Sequence, residues 1–177
     1  VDAGSITGTP VSGPVVGASG EYMALFRNPN GGQAEARKYE VGLAVDGGTG
    51  LTWTSSVSFP SATTPGAPSP VLGQGGFAYF VSNNASLLVV EEASWAKKYE
   101  GGTGTLAVGQ VLASPTLDCN RRRIGTNTGI LYFVTDMGFV VSYVVDSRGL
   151  DNAALWPKYQ HDARNTGNRS TPIDACP

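Results

Sequence analysis

The chain has little material for metal or acid–base chemistry: one histidine and two cysteines in 177 residues. A structural zinc centre takes four Cys or His ligands, so this inventory leaves little for a metal site. Charge is scarce too. Twelve Lys plus Arg stand against 14 Asp plus Glu, a net charge of −2, and that removes the basic footprint of a nucleic-acid-binding protein. No stretch approaches the roughly 20 apolar residues of a membrane-crossing helix. Turn chemistry, by contrast, is abundant: 24 Gly and 11 Pro exclude a helical bundle or a coiled coil. An apolar content of 41% is enough to build a core rather than a disordered coil.

The periodic segments are short, β-branched and aromatic. Phe77–Val81, the turn Ser82-Asn83-Asn84-Ala85 and Ser86–Val90 read as strand, turn, strand. Ile130–Val134, the turn Thr135-Asp136-Met137-Gly138 and Phe139–Val145 read the same way, with Asn, Asp and Gly suited to positive φ. The one helical signal, Ala93–Tyr99, is stopped at once by Gly101-Gly102. The class is all-β.

The two hairpins are copies. Gly76-Phe-Ala-Tyr-Phe-Val-Ser-Asn lies over Gly129-Ile-Leu-Tyr-Phe-Val-Thr-Asp at an offset of 53. Each follows a Ser-Pro step, Ser69-Pro70 and Ser114-Pro115, at an offset of 45. The difference is an insertion of eight residues, Cys119–Thr126. A looser first copy starts at Gly13-Pro14-Val15-Val16. Units of about 45 to 55 residues with about four short strands each have the period of propeller blades. The expectation is a partial β-propeller of about three four-stranded antiparallel blades (near 1–58, 59–105 and 106–150), then a capping tail over 151–177. A β-sandwich is the alternative.

One segment, Leu43-Ala44-Val45-Asp46-Gly47-Gly48-Thr49-Gly50-Leu51-Thr52-Trp53, resembles the A-x-D-x-x-T-G-x-x-x-W signature of quinoprotein-type, or PQQ-like, propeller repeats. The resemblance implies that Asp46, Thr49 and Gly50 hold a tight turn and that Trp53 docks between blades. Val144–Leu150 looks like a degenerate copy. The tail, from Trp156-Pro157 through Asp162 to Thr166-Gly167, is similar to the W-P-x-x-x-x-D-x-x-x-T-G closing segment that flanks such propellers. There the Trp-Pro pair anchors and the Asp holds the Thr-Gly turn. Enzymes of this fold bind pyrroloquinoline quinone and calcium, sometimes beside a vicinal disulfide. No adjacent cysteines occur here, those positions do not map, and no cofactor is expected.

Three units do not close a ring of about four to eight blades. The pattern also starts in mid-repeat at Val1-Asp2-Ala3-Gly4. The expected partners are therefore the remaining blades, from the same precursor or from another chain. Cys119 and Cys176 either pair or stay free; a disulfide restraining the tail is expected, as in an exported protein. Arg121-Arg122-Arg123 is the one concentrated charge, a solvated loop tip or a possible anion contact. His161 lacks a nucleophile motif and reads as a surface or packing residue, Glu91-Glu92 as a solvated strand end, and Asp118, Asp136 and Asp146 as turn residues. The function expected is a non-catalytic secreted or envelope segment that works in binding, scaffolding or assembly. The alternatives are a fragment of a quinone-dependent dehydrogenase and a carbohydrate-binding or adhesion module.

Overall fold

The computed structural model describes residues 8–28, 34–43, 49–59, 67–102, 107–111, 113–119, 127–162 and 165–173. For 41–43, 49–53 and 119 it describes the backbone alone. Twelve strands and no helix occur among the described residues, and the strands form three antiparallel sheets.

The middle sheet is the simplest. Strands β6 (Val71–Gly73), β7 (Phe77–Val81), β8 (Leu87–Glu91) and β9 (Lys97–Gly101) follow one another as an antiparallel meander. The turn joining β7 to β8 is closed by Ser82 N–H on the Ser86 carbonyl at 2.9 Å, and Ser82 Oγ accepts from Ser86 N–H at 3.1 Å. The left-handed residue of this turn is Ala85, φ 62°, rather than either asparagine. Its counterpart in the third sheet is Gly138, φ 80°. The segment Ala93–Tyr99, with its helical signal, is instead a turn leading into β9.

In the third sheet, β10 (Thr116–Cys119), β11 (Gly129–Val134) and β12 (Val140–Val145) repeat the first three strands of this pattern. Among the described residues it has no fourth strand, because the chain after Val145 turns back and Gly149 and Asp151 bond to Gln74 and Leu72 beside β6. Asp118 accordingly lies within β10 rather than in a turn. The first sheet has β3 (Tyr22–Arg27), β4 (Ala34–Leu43) and β5 (Thr49–Phe59). Its innermost position is filled by two pieces, β1 (Thr9–Pro10) and β2 (Val15–Val16), both antiparallel to β3. The register against β3 shifts between them, from Thr9 opposite Arg27 to Val15 opposite Met23, so one strand position is written as two.

The sheets stack face to face. Leu72, Ala78, Phe80, Leu88 and Val90 of the middle sheet are buried against Met23, Leu25, Ala34, Ala36 and Phe59 of the first. Their neighbours Val71, Tyr79, Val81, Leu87 and Val89 are buried on the opposite side against Leu117, Leu131, Phe133 and Val145 of the third. A strand buried on both faces has no polar alternation to show, which is why Phe77–Val81 and Leu87–Val90 read as continuous apolar runs. Each such leucine or phenylalanine contributes about 1.5–3 kcal/mol by leaving water.

The tail is stitched between two sheets. Val16 and Trp156 exchange backbone hydrogen bonds of 2.9 Å in both directions, and Leu72 N–H donates to the Pro157 carbonyl at 2.7 Å. The segment thus lies between β2 of the first sheet and β6 of the middle one.

Candidate functional site

Among the described residues, the third sheet presents an apolar face that no other sheet covers. Side chains alternate along its strands: Leu131, Phe133 and Val145 point inward and are buried, and Ile130, Tyr132, Val134, Val140 and Val144 take the other face. The register places Ile130 beside Val144 and Val134 beside Val140 across the β11–β12 pair. Val140 is 69% exposed and Val144 54%, and at the hairpin tip Met137 is 62% exposed. No charged side chain lies on this face of β11 or β12, and Asp118 stands at its inner margin. An apolar sheet face of this kind suits association with another layer.

The first sheet's outer face is different. Arg37 lies over the Phe26 ring at 5.0 Å and pairs with Glu35 at 2.9 Å, and Phe26 packs on Tyr39 with ring centroids 5.3 Å apart. Arg37, Phe26 and Tyr39 are all buried, so these side chains leave no open apolar surface.

Of the repeat signature, Asp46 lies outside the described residues, and Thr49, Gly50 and Trp53 are placed only as backbone positions of β5. Leu43 pairs with Thr49, so the signature spans the β4–β5 hairpin, and Trp53 stands opposite Tyr39. Arg121, Arg122 and Arg123 lie outside the described residues, and so does the expected Cys119–Cys176 pairing, since only the backbone of Cys119 is described.

The tail residues come together as one knot. Asp162 accepts from both the N–H and the hydroxyl of Thr166. Lys158 is buried and donates to the Asp162 carbonyl at 3.3 Å and to the Asn165 side chain. Burial lowers the Lys158 pKa, against the pull of Asp162. His161 is buried rather than at the surface, edge-on to Trp156 at 5.0 Å. Its Nδ1 has no hydrogen-bond partner and lies 3.6 Å from the Asp162 carboxylate. Positive φ at Gln160, His161 and Asn165 shows how tightly this loop is wound. Gly167, φ 61°, ends it, and Pro157 is buried.

A cleft of about 500 Å³ opens between the first and middle sheets and is lined by Ser19, Glu21, Lys38, Glu40, Gly76, Glu92 and Ala93. Lys38 Nζ donates to the Glu92 carbonyl at 3.1 Å and lies over the Trp95 ring at 5.6 Å. One carboxylate oxygen each of Glu21 and Glu92 is sealed from solvent without a hydrogen-bond partner. Burial, then Asp151 and Glu21, push the Glu92 carboxyl up to about 7, against the opposing effect of Lys38. Glu92 is therefore not the freely solvated strand end its sequence suggests. Its place follows from the stacking of two sheets distant in sequence, which no local pattern reveals. Among the described residues no three acidic, His or Cys side chains converge as metal ligands.

No protein-family model and no curated protein matches this chain.

Proposed function

We propose that the chain is a non-catalytic β-propeller segment of a secreted or envelope protein, built from PQQ-like repeats and acting in binding or assembly. The observation that carries this reading is the stack. The middle sheet is buried on both faces, and the third sheet offers a second apolar face on which Val134, Val140 and Val144 are exposed. The packing that joins the three sheets thus continues outward from Ile130, Val140 and Val144, and a further antiparallel sheet is the occupant that fits. The wound Asp162–Thr166 turn supports the closing role implied by the tail resemblance.

Catalysis has little support. His161 is held against Trp156, without the hydroxyl or thiol partner that nucleophilic catalysis needs. The test is direct: purified protein is mixed with pyrroloquinoline quinone and calcium and assayed by absorbance and dye reduction. Neither quinone binding nor dye reduction is expected. Stoichiometric quinone binding with dye reduction would overturn the reading in favour of a dehydrogenase.

A further inference from the structure

Among the described residues no strand pairs with the outer edge of β12, a second surface distinct from the apolar face. Thr135 N–H donates to the Phe139 carbonyl at 3.0 Å and closes the β11–β12 hairpin. Hydrogen-bonded pairs alternate along an antiparallel ladder, so Val141, Tyr143 and Val145 bond to β11. Val140, Ser142 and Val144 then direct their N–H and C=O groups outward, away from the sheet.

The twin hairpin shows what such a row accepts. Ser82 and Ser86 close it in the same way, which leaves Leu87, Val89 and Glu91 pointing outward from β8. These positions match Val140, Ser142 and Val144 at the repeat offset of 53. In the middle sheet they are filled: Leu87 pairs with Gly101 and Val89 with Tyr99 of β9, and Glu91 N–H donates to the Ala96 carbonyl at 3.0 Å.

The two outer edges are also protected differently. Strand β9 carries Lys97 and Lys98, and its pairing is broken by an irregularity at Val89/Val90; both are devices that discourage further pairing. Strand β12, Val-Val-Ser-Tyr-Val-Val, has no charge, proline or glycine. An unguarded edge of this kind is a template for strand addition.

We infer that the β12 edge receives an extended segment of a second polypeptide as the fourth strand of the third sheet, antiparallel to β12. The space fits a single strand better than a second folded copy. Strand β6 lies next to β10, so β9 of the four-stranded middle sheet extends beneath the vacant position. Tyr99 on β9 is 46% exposed there. The segment expected is one with an apolar or aromatic side chain facing Tyr99 and Tyr143. The inference rests on the hydrogen-bond row and stands or falls separately from what covers the outer face.

The test is residue-resolved amide exchange with a synthetic peptide, Ala-Lys-Lys-Tyr-Glu-Gly-Gly, the sequence of residues 96–102. In the chain alone, the amides of Val140, Ser142 and Val144 are expected to exchange at least about 100-fold faster than those of Val141, Tyr143 and Val145. Peptide at about ten times its Kd should slow the first set about tenfold. The same peptide N-methylated at its Tyr and second-last Gly, the residues facing β12, should leave them unchanged. Ser142→Pro removes one outward N–H at a position where an edge tolerates proline, and should abolish the effect at unchanged Tm; if that variant unfolds, the N-methylated peptide alone decides. Four results would overturn the inference: outward amides already protected in dilute chain, protection that grows with chain concentration alone, no slowing by the peptide, or equal slowing by both peptides.

Discussion

Ser69 donates its backbone N–H to the hydroxyl of Ser114 at 3.0 Å, and the two residues, 45 apart, are the same position of successive repeats. The equivalent residue of the first copy, Gly13, packs so closely on Ser69 that an added Cβ would lie 2.6 Å from the Ser69 hydroxyl. One column of small residues therefore runs through all three sheets where each inner strand begins. Replacing Ser114 with alanine leaves the N–H of buried Ser69 without its partner and should cost about 1–3 kcal/mol in a urea unfolding titration. A loss below about 0.3 kcal/mol would mean that water replaces the contact.

The middle sheet should be the most sensitive to truncation. Phe80 is fully buried and meets Trp95 edge-on, with ring centroids 6.1 Å apart. Phe80→Ala is expected to cost about 3–5 kcal/mol. Val140→Ala, on the outer face of the third sheet, should change the stability of the isolated chain by less than about 0.5 kcal/mol. Comparable losses for the two variants would contradict the assignment of core and open face.

Most of the architecture is legible because it is local. The hairpins Phe77–Val90 and Ile130–Val145 are written in β-branched runs and turn residues a few positions apart, and their repetition exposes the unit. The apolar outer face was legible in principle as well: Ile130–Val134 is as continuously apolar as Phe77–Val81, and a strand with two apolar faces needs two covers. What stays hidden is long-range. Glu92 meets Glu21 and Lys38 only because two sheets stack, and the burial of His161 depends on the tail returning to Val16. The missing fourth strand was hidden too, since the residues after Val145 still resemble the repeat signature.

The Glu92 carboxyl makes stability depend on pH. In the folded chain it holds its proton up to about pH 7, against an ordinary value of 4.5, because burial and the neighbouring Asp151 and Glu21 oppose ionisation while Lys38 favours it. The folded state therefore binds the proton more tightly, and this contribution to stability is lost as pH rises from about 4.5 to about 7. Glu92→Gln removes that slope, so its advantage over the wild type should grow across the window and level off above it. Parallel stability curves for the two proteins would refute this.

The tail knot should behave as a clasp. Asp162→Ala removes the acceptor of two Thr166 groups and the nearest carboxylate to the buried Lys158. A loss of about 1–3 kcal/mol is expected, with faster proteolysis confined to residues after Trp156. Asp162→Asn, which keeps one carbonyl acceptor, should recover part of both. Unchanged proteolysis of the alanine variant would remove the clasp from the account.

The central claim is that the outer face of the third sheet is an interface. Carbene footprinting, run on the isolated 177-residue chain and on the same chain within the proposed assembly, reads this face residue by residue. Heavy labelling of Val140 and Val144 in the isolated chain and their protection in the assembly is the result expected. Equal labelling in both would contradict it.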